Sequence, residues 1–226
     1  MQKSNKKILI TGGAGYIGQN LVNCFLDDKY KIYVIDNFST SAFINKKIKK
    51  KVSFYKIDLT EEKKVKTFFK NKKNNYALLR YFNVVGSIVD FKIKKKVNAL
   101  FDIVFNNIKN KKYKININGR NFNTKDGTPE RDFIHISDLC KIHKKVYKYL
   151  NTNKKIILNC GSGERHSVLS VIREFEKKIK RKFIISYNIT NSDETKTICA
   201  DISLLRNLFK MNIEKKKLSD LIKDYE

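Results

Sequence analysis

The sequence has no tryptophan, a single proline, four cysteines and three histidines. No apolar run approaches the roughly 20 residues that a membrane-spanning helix requires, so we expect a cytoplasmic protein without a membrane partner. The cysteines form no C-x-x-C pair, and the histidines are isolated from one another. This distribution argues against a metal site and favours reduced core thiols in a reducing compartment.

Acidic residues are also scarce: 22 of them face 49 basic residues, for a formal net charge of +27. Such a balance usually suggests a polyanionic partner such as nucleic acid or acidic lipid. Only seven of the basic residues are arginines, and the lysines are spread along the whole chain without interleaved stacking aromatics. This pattern favours A/T-rich coding drift over a selected surface. We therefore expect no specific nucleic-acid partner, although the densest lysine runs can attract polyanions in low salt.

The most informative stretch is a glycine-rich turn after the first apolar run. Lys7–Ile10 is short, apolar and β-branched, as in a buried strand, and from Tyr16 onward the apolar residues fall on one helical face. Between them lie three glycines: Gly12, Gly15 and Gly18. In a strand–turn–helix unit such glycines permit the tight turn, let the backbone approach a pyrophosphate and let the helix pack on the strand. The spacing predicts a dinucleotide-binding turn.

A second strand, Lys31–Ile35, ends at Asp36, about 20 residues beyond the glycines. An acid at this point binds the ribose hydroxyl pair of a dinucleotide, whereas a 2′-phosphate would meet a like charge. The alternative is that these are ordinary turn glycines followed by a capping acid, and the strand context argues against it. We therefore predict NAD, in preference to NADP, as the cofactor.

Apolar patterns then alternate between strands and helices, which predicts an α/β fold. A third strand, Val52–Ile57, delivers Asp58 at its carboxyl end, and Thr60 is predicted to cap the helix that follows. One continuous strand is predicted over Tyr76–Asn83, and Ser137 is predicted to cap a later helix.

These residues resemble the UDP-glucose 4-epimerases, a branch of the extended short-chain dehydrogenases. The matching motifs occur in order along nearly the whole chain: Thr11–Gly18, Asp36-Asn37, Asp58-Leu59, Leu78–Asn83, Lys125–Thr128, Arg131–His135, Asp138-Leu139, Gly161–Gly163 and Ala200-Asp201. The Tyr-Phe-Asn strand combined with the Asp-Gly-Thr and Arg-Asp loop is specific to this branch and its nearest sugar-nucleotide relatives.

The resemblance implies roles for individual residues. The residues that would hold NAD are Gly12, Gly15, Tyr16, Ile17, Gly18, Asp36, Asn37, Asp58, Leu59 and Tyr81. The residues that would bind the UDP-sugar are Asn83, Asn98, Arg131 and Asp193. Among these, Arg131 matches an arginine that clamps a phosphate, a task to which a planar guanidinium is suited. Where the family has an Arg-Glu-Gly-Asp turn this chain has Thr190–Asp193, which keeps the acid and lacks the arginine.

The larger departure lies in the middle of the chain. Relatives place several strand–helix units between the strand that ends at Asp58 and the strand of Tyr81, and these units carry a Ser/Thr and a Tyr-x-x-x-Lys. This chain crosses the interval through one short hinge after about residue 74, and it contains no Tyr-x-x-x-Lys. Tyr76 and Arg80 have that spacing, but on a predicted strand, where their tips would not converge. The resemblance therefore implies no catalytic residue here, and it gives no support for an oligomer because the family's pairing helices belong to the missing units.

The expected architecture is a Rossmann-like parallel sheet with helices on both faces, reduced in strand number, plus a smaller C-terminal substrate-binding region. We predict an NAD-binding domain over residues 1–90 and the substrate-binding region over 91–226, with 132–163 packing back on the sheet. Two functions follow from these patterns. One is a shortened UDP-glucose 4-epimerase that binds NAD and a UDP-sugar, and the other is an inactive remnant or a module that binds these ligands without turnover.

Overall fold

The structure is a computed structural model that describes residues 7–28, 30–39, 46–70, 75–88, 99–188, 195–211 and 216–225. Contacts divide the chain into two compact units, each assembled from separate segments. The first comprises Met1–Ala77, Ser87–Lys96 and Cys140–Ile156, and the second comprises Leu78–Gly86, Val97–Leu139 and Ile157–Glu226. The boundary predicted between residues 90 and 91 lies outside the described residues and stays a prediction.

The first unit is built on a three-stranded parallel sheet in the order β1-β2-β3. Its elements are β1 (Lys7–Thr11), α1 (Tyr16–Asp27), β2 (Lys31–Asp36), α2 (Lys46–Lys49), β3 (Ser53–Lys56) and α3 (Glu62–Phe69). β1 and β2 pair from Lys7↔Lys31 to Thr11↔Ile35, so both strands end beside the glycine turn. Ile10, Val34 and Ile35 are buried, as expected for strands of a parallel sheet that is covered by helices.

The helix α1 packs its apolar face inward, since Leu21, Val22 and Phe25 are buried. Phe25 also makes edge contacts with Tyr30 and Tyr147, with ring centroids 5.4 Å and 6.0 Å away. These contacts secure the helix whose N-terminus follows the glycine turn.

The second unit contains four small sheets and an aromatic core. Three elements begin or end in the first unit: β4 (Tyr76–Tyr81), α5 (Ile136–Tyr149) and β9 (Lys155–Cys160). The others are β5 (Asn83–Val85), α4 (Leu100–Lys109), β6 (Lys114–Asn118), β7 (Glu130–Arg131), β8 (Phe133–His135), β10 (His166–Ser167), α6 (Val168–Ile179), β11 (Ile184–Asn188), β12 (Thr197–Ile198), α7 (Ser203–Phe209) and α8 (Leu218–Leu221). The sheets are β4-β9, the parallel pairs β5-β8 and β6-β11, and the three-stranded β10-β7-β12.

The core of the second unit is centred on Phe101, Phe133 and Phe175, each nearly inaccessible to solvent. The ring of Phe101 lies 5.0 Å from that of Phe133 and 5.8 Å from that of Phe175, measured between centroids. This packing joins α4, β8 and α6, and two of the three rings, Phe101 and Phe133, line the cavity described below.

The structure confirms the predicted α/β class and corrects three local predictions. The strand predicted over Tyr76–Asn83 is two strands, because its hydrogen-bonding partner changes: the N–H of Phe82 donates to the carbonyl of Cys160, and that of Asn83 donates to the carbonyl of Asp132. Thr60 does not cap α3, which has Glu61 at its N-cap; the Thr60 hydroxyl donates instead to Asp58.

Ser137 does not precede its helix as predicted, since α5 already begins at Ile136. The N–H of Ser137 donates to Nδ1 of His135 at 3.2 Å, and the Ser137 hydroxyl lies 2.7 Å from the same nitrogen. The short helix α2 lies in a lysine-rich stretch for which no helix is predicted from the sequence.

Among the residues that the structure describes, no helix is long and apolar enough to cross a membrane. No group of three or more His, Cys, Asp or Glu side chains among them is placed to hold a metal ion.

Candidate functional site

The glycine turn is held against β2 by its own backbone. Gly12 has a φ of +64°, a conformation that favours glycine, and its N–H donates to the carbonyl of Ile35 at 2.8 Å. The carbonyl of Gly12 then accepts the N–H of Gly15 at 3.1 Å. The turn therefore closes tightly at the end of β1 and directs the chain into α1.

Gly15 and Gly18 meet different surroundings. A Cβ at Gly18 would lie 2.1 Å from the carbonyl oxygen of Gly12 and 2.5 Å from Cα of Gly13, so helix and turn are in backbone contact there. A Cβ at Gly15 would meet only that carbonyl oxygen, at 3.3 Å. Gly15 is the N-cap of α1, whose first turn carries no acid. A helix N-terminus of this kind favours an anion, because unpaired N–H groups and the helix dipole both attract negative charge.

Asp36 joins the end of β2 to the glycine turn. Its Oδ2 accepts the N–H of Ala14 at 2.9 Å, and its Oδ1 accepts the N–H of Phe38 at 2.7 Å. The side chain is buried, with 9% of the residue exposed. Each carboxylate oxygen has two acceptor sites, so the group can accept further bonds from ribose hydroxyls.

Asn37 and Asp58 come from the carboxyl ends of neighbouring strands and contact each other directly. Nδ2 of Asn37 donates to Oδ2 of Asp58 at 2.9 Å. The backbone N–H and the hydroxyl of Thr60 donate to Oδ1 of Asp58 at 2.9 Å and 2.7 Å. The bond from Asn37, followed by those from Thr60, lowers the pKa of Asp58 to about 2. The adjoining Leu59 is half exposed.

The remaining residues predicted for NAD are placed as follows. Tyr16 and Ile17 are partly buried in the first turn of α1, and the carbonyl of Tyr16 accepts Nδ2 of Asn20 at 2.9 Å. Tyr81 lies at the end of β4 in the second unit and is 42% exposed. The structure thus brings Gly12, Gly15, Gly18 and Asp36 together at one end of the first sheet, with Asn37 and Asp58 on the adjoining strand ends.

Two buried amides beside this turn have no assigned role in the sequence patterns. Nε2 of Gln19 donates to the carbonyl of Ala14 at 2.7 Å, and Oδ1 of Asn20 accepts the N–H of Ile88 at 2.8 Å. Both residues are fully buried. Their positions directly after Gly18 could have indicated this from the sequence, because polar side chains on the inward face of an amphipathic helix require hydrogen-bond partners.

The second unit contains a cavity of about 380 Å³. It is lined by Asn83, Val84, Val85, Ala99, Leu100, Phe101, Asp102, Ile103, Asn116, Ile117, Asn118, Pro129, Arg131, Phe133, Val168 and Tyr225. A cavity of this volume and of mixed aromatic and polar lining is typical of small-molecule sites. Asn83 and Arg131, two of the residues predicted to bind substrate, both line it.

Arg131 and Asn83 are positioned through the same short segment. Nη1 of Arg131 donates to the carbonyl of Glu130 at 2.9 Å, which holds the guanidinium near β7. The N–H and Nδ2 of Asn83 both donate to the carbonyl of Asp132, at 3.1 Å and 3.0 Å. The two predicted side chains are therefore anchored on neighbouring residues of one loop.

Asp132 is the anchor of that loop, and its carboxylate is fully buried. Oδ1 accepts the N–H and the hydroxyl of Ser162, both at 2.7 Å. Oδ2 accepts the N–H groups of Gly163 at 2.9 Å and of Ala200 at 3.1 Å. The Arg-Asp motif was visible in the sequence, but nothing in it indicated that the acid is structural.

Two other lining residues, Asp102 and Tyr225, belong to no motif. The Tyr225 hydroxyl is hydrogen-bonded to the Asp102 carboxylate, and burial raises the pKa of both groups.

Two further predicted residues, Asn98 and Asp193, lie outside the described residues. Tyr76 and Arg80 are on β4, as predicted, where a separation of four positions along the strand places their Cα atoms about 13 Å apart.

The fold and the glycine turn together define an α/β dinucleotide-binding protein. Residues 8–76 and 71–161 match the family model described as "NAD dependent epimerase/dehydratase family". The chain therefore belongs to that family. The two matched stretches meet at residues 71–76, where the sequence predicts the missing interval.

Two relatives with sequence similarity to this chain are UDP-glucose 4-epimerases. The UDP-glucose 4-epimerase of Bacillus subtilis is 37% identical over 106 residues, which cover 45% of this chain and 31% of that enzyme. The UDP-glucose 4-epimerase of Mycoplasma genitalium is 29% identical over 163 residues, or 69% of this chain and 46% of that enzyme. The matched region thus spans between about a third and a half of the length of these curated relatives.

The fold is that of a solved structure of the UDP-glucose 4-epimerase of Bifidobacterium longum in complex with NAD⁺ and UDP. The TM-score is 0.83 at 18% identity, and the superposition covers 97% of each chain. At this identity the similarity shows the fold, which is the Rossmann type predicted from the sequence.

Proposed function

We propose that this protein binds NAD in its first unit and a UDP-sugar in its second, as a UDP-glucose 4-epimerase-type isomerase that interconverts UDP-galactose and UDP-glucose. The observation that carries the proposal is the cavity of the second unit, lined by Arg131 and Asn83. These are the residues that the family resemblance assigns to the substrate. The matches to two UDP-glucose 4-epimerases support the choice of reaction.

The first unit fits NAD. The close contact at Gly18 keeps the helix N-terminus against the turn, and the open side of Gly15 leaves the backbone accessible to a pyrophosphate. Asp36 is held in place by Ala14 and Phe38, and its remaining acceptor sites would take the ribose hydroxyls. When bound, NAD supplies the hydride acceptance that epimerisation at C4 requires. Asn37, Asp58 and Leu59 extend the site on the adenosine side.

The second unit fits a nucleoside diphosphate. Arg131 provides the positive charge for a pyrophosphate, and a guanidinium binds phosphate oxygens in pairs. Asn83 contributes an amide beside it, and Phe101 and Phe133 contribute apolar walls. Asn98 and Asp193 are proposed as further contacts from the resemblance alone.

The second candidate function is binding of the same two ligands without turnover. It is favoured by one observation: the sequence has no Tyr-x-x-x-Lys, and the spacing match at Tyr76 and Arg80 lies on a strand. Loss of a general base typically costs ~10²–10⁴ in rate. Binding is less affected, since the glycine turn and the cavity are retained.

The test combines calorimetric titration of NAD⁺ and of UDP-glucose with an assay of UDP-galactose conversion on the same sample. Saturable binding of both ligands together with conversion supports the isomerase. Binding of both without conversion supports the second candidate. Absence of NAD⁺ and UDP-glucose binding overturns both.

Single substitutions test which residues bind the UDP-sugar and which hydroxyl acts as the base. Arg131→Ala is expected to weaken UDP-glucose binding at least tenfold, because a charge-assisted hydrogen bond to phosphate is lost. Arg206→Ala, which removes an exposed arginine of α7, is the control and should leave binding unchanged. If conversion occurs, Tyr76→Phe and Tyr81→Phe identify which hydroxyl, if either, acts as the base.

A further inference from the structure

Asp102 and Tyr225 form a polar pair in the wall of the cavity of the second unit. Asp102 lies in the first turn of α4 and is partly buried. Tyr225 lies beyond α8, far from Asp102 in sequence. Its hydroxyl is hydrogen-bonded to the Asp102 carboxylate and accepts the N–H of Gly86 at 3.4 Å. A hydroxyl has one proton to give, so the Tyr225 proton is directed to the carboxylate.

The pair is fixed in place by its surroundings. The ring of Tyr225 makes contacts with Phe101, Phe105 and Phe175 at centroid distances of 5.7, 5.5 and 5.8 Å. Nζ of Lys178 donates to the carbonyl of Tyr225 at 3.1 Å. Because these contacts are made within the protein, Asp102 is positioned before any ligand enters.

Charge divides the cavity into two kinds of polar group. Among the described lining residues, Asp102 is the one acid and Arg131 the one cation. A carboxylate repels a pyrophosphate and attracts hydrogen-bond donors, whereas a guanidinium does the reverse. Tyr225 uses one of the roughly four acceptor sites of the carboxylate, so further sites can serve a ligand.

We propose that Asp102, oriented by Tyr225, is a specificity-determining residue that accepts a hydrogen bond from an uncharged donor of the bound ligand. The inference rests on the proposed function, in which the ligand is a UDP-sugar. Two of its groups have the required chemistry: the N3–H of uracil and a sugar hydroxyl. A cytosine ring presents an unprotonated N3 in the same place, which the carboxylate would repel.

The experiment is calorimetric titration of the full chain and of Asp102→Asn with UDP, CDP and UDP-glucose. Asparagine keeps the shape and the bond from Tyr225, but its amide can face the ligand as a donor or an acceptor. Asp220→Asn removes the same charge from an exposed carboxylate that pairs with Lys223 at 2.7 Å, and it serves as the control. Thermal unfolding checks that each variant is folded.

We expect the wild-type protein to prefer UDP over CDP by at least tenfold, and Asp102→Asn to reduce that preference at least fivefold, if the donor is uracil. If Asp102→Asn keeps the preference for UDP over CDP but binds UDP-glucose no more tightly than UDP, the inference is supported with a sugar hydroxyl as the donor. Two results overturn it: a wild-type protein that binds all three ligands equally, or Asp102→Asn with both ratios unchanged. If the wild-type protein binds none of the three, the proposed function itself fails.

Discussion

The backbone N–H of Ala14 donates a 2.9 Å hydrogen bond to Oδ2 of Asp36. The bond crosses 22 residues of sequence and holds the glycine turn to the end of β2. In the proposed function this one acid has two tasks: it positions the turn that would contact the pyrophosphate, and its remaining acceptor sites would bind the ribose. The first prediction separates these tasks.

Asp36→Ser is expected to shift the cofactor preference from NAD toward NADP by at least tenfold, because a charge that repels a 2′-phosphate is removed. The variant should also lose about 1–3 kcal/mol of unfolding free energy, since the buried N–H of Ala14 and the partly buried N–H of Phe38 lose their carboxylate acceptor. Calorimetric titration with both cofactors measures the preference. Asp28→Ser, at the exposed pair with Lys144, is the control. An unchanged NAD-to-NADP ratio would contradict the role of Asp36.

Gly15→Ala is expected to weaken NAD⁺ binding while leaving the fold stable, whereas Gly18→Ala is expected to destabilise the fold. At Gly18 the new methyl meets backbone atoms at 2.1 and 2.5 Å, so we expect a loss of more than about 2 kcal/mol in unfolding free energy. At Gly15 the nearest atom is 3.3 Å away, so the fold should survive while the methyl obstructs the approach of the cofactor. Chemical denaturation and NAD⁺ titration of both variants test this. Equal stability of the two variants would refute the difference in packing.

Asp132→Asn is expected to destabilise the protein by about 3 kcal/mol, because an amide group would face N–H donors inside the fold. The buried carboxylate accepts from Ser162, Gly163 and Ala200. Asp201→Asn is the matched control, since Asp201 is exposed and its carboxylate accepts the N–H and the hydroxyl of Ser203. Urea denaturation should show the larger loss for Asp132→Asn, and similar losses for both variants would contradict the structural role.

Asp58 predicts a pH dependence of stability. Its pKa is lowered from 3.8 to about 2, mainly by the bond from Asn37, so the folded state binds this proton less readily than the unfolded state. The stabilisation is fully present above about pH 4 and is lost as the pH falls toward about 2. Thermal unfolding of wild type and Asp58→Asn should therefore converge across that interval. Asn37→Ala should return the pKa of Asp58 toward 3.8 and so narrow the pH interval over which this stabilisation is lost. If the unfolding temperatures of wild type and Asp58→Asn instead run parallel across the interval, the pKa shift is absent.

Much of the first unit is predictable from sequence because its signals are local. The apolar, β-branched run Lys7–Ile10, the glycines and the helix from Tyr16 lie within one strand–turn–helix segment, and periodicity and turn chemistry act at that range. The α/β class and the Rossmann type follow from the same patterns, and both are confirmed. The predictions for Thr60 and Ser137 are wrong because the helix starts are displaced from the predicted positions: α3 has Glu61 at its N-cap, and α5 already begins at Ile136.

The sequence by itself determined the glycine turn, the acid that ends β2 and the family. Only the tertiary structure decided that the predicted strand over Tyr76–Asn83 divides where its partner changes, and that Asp132 is a buried anchor. It also decided the cavity of the second unit, where Asp102 and Tyr225 meet although they are far apart in the chain. The physical reason is the distance along the chain over which each signal acts. Apolar periodicity and turn chemistry depend on residues close together in the sequence, whereas burial and side-chain pairing depend on how distant segments pack.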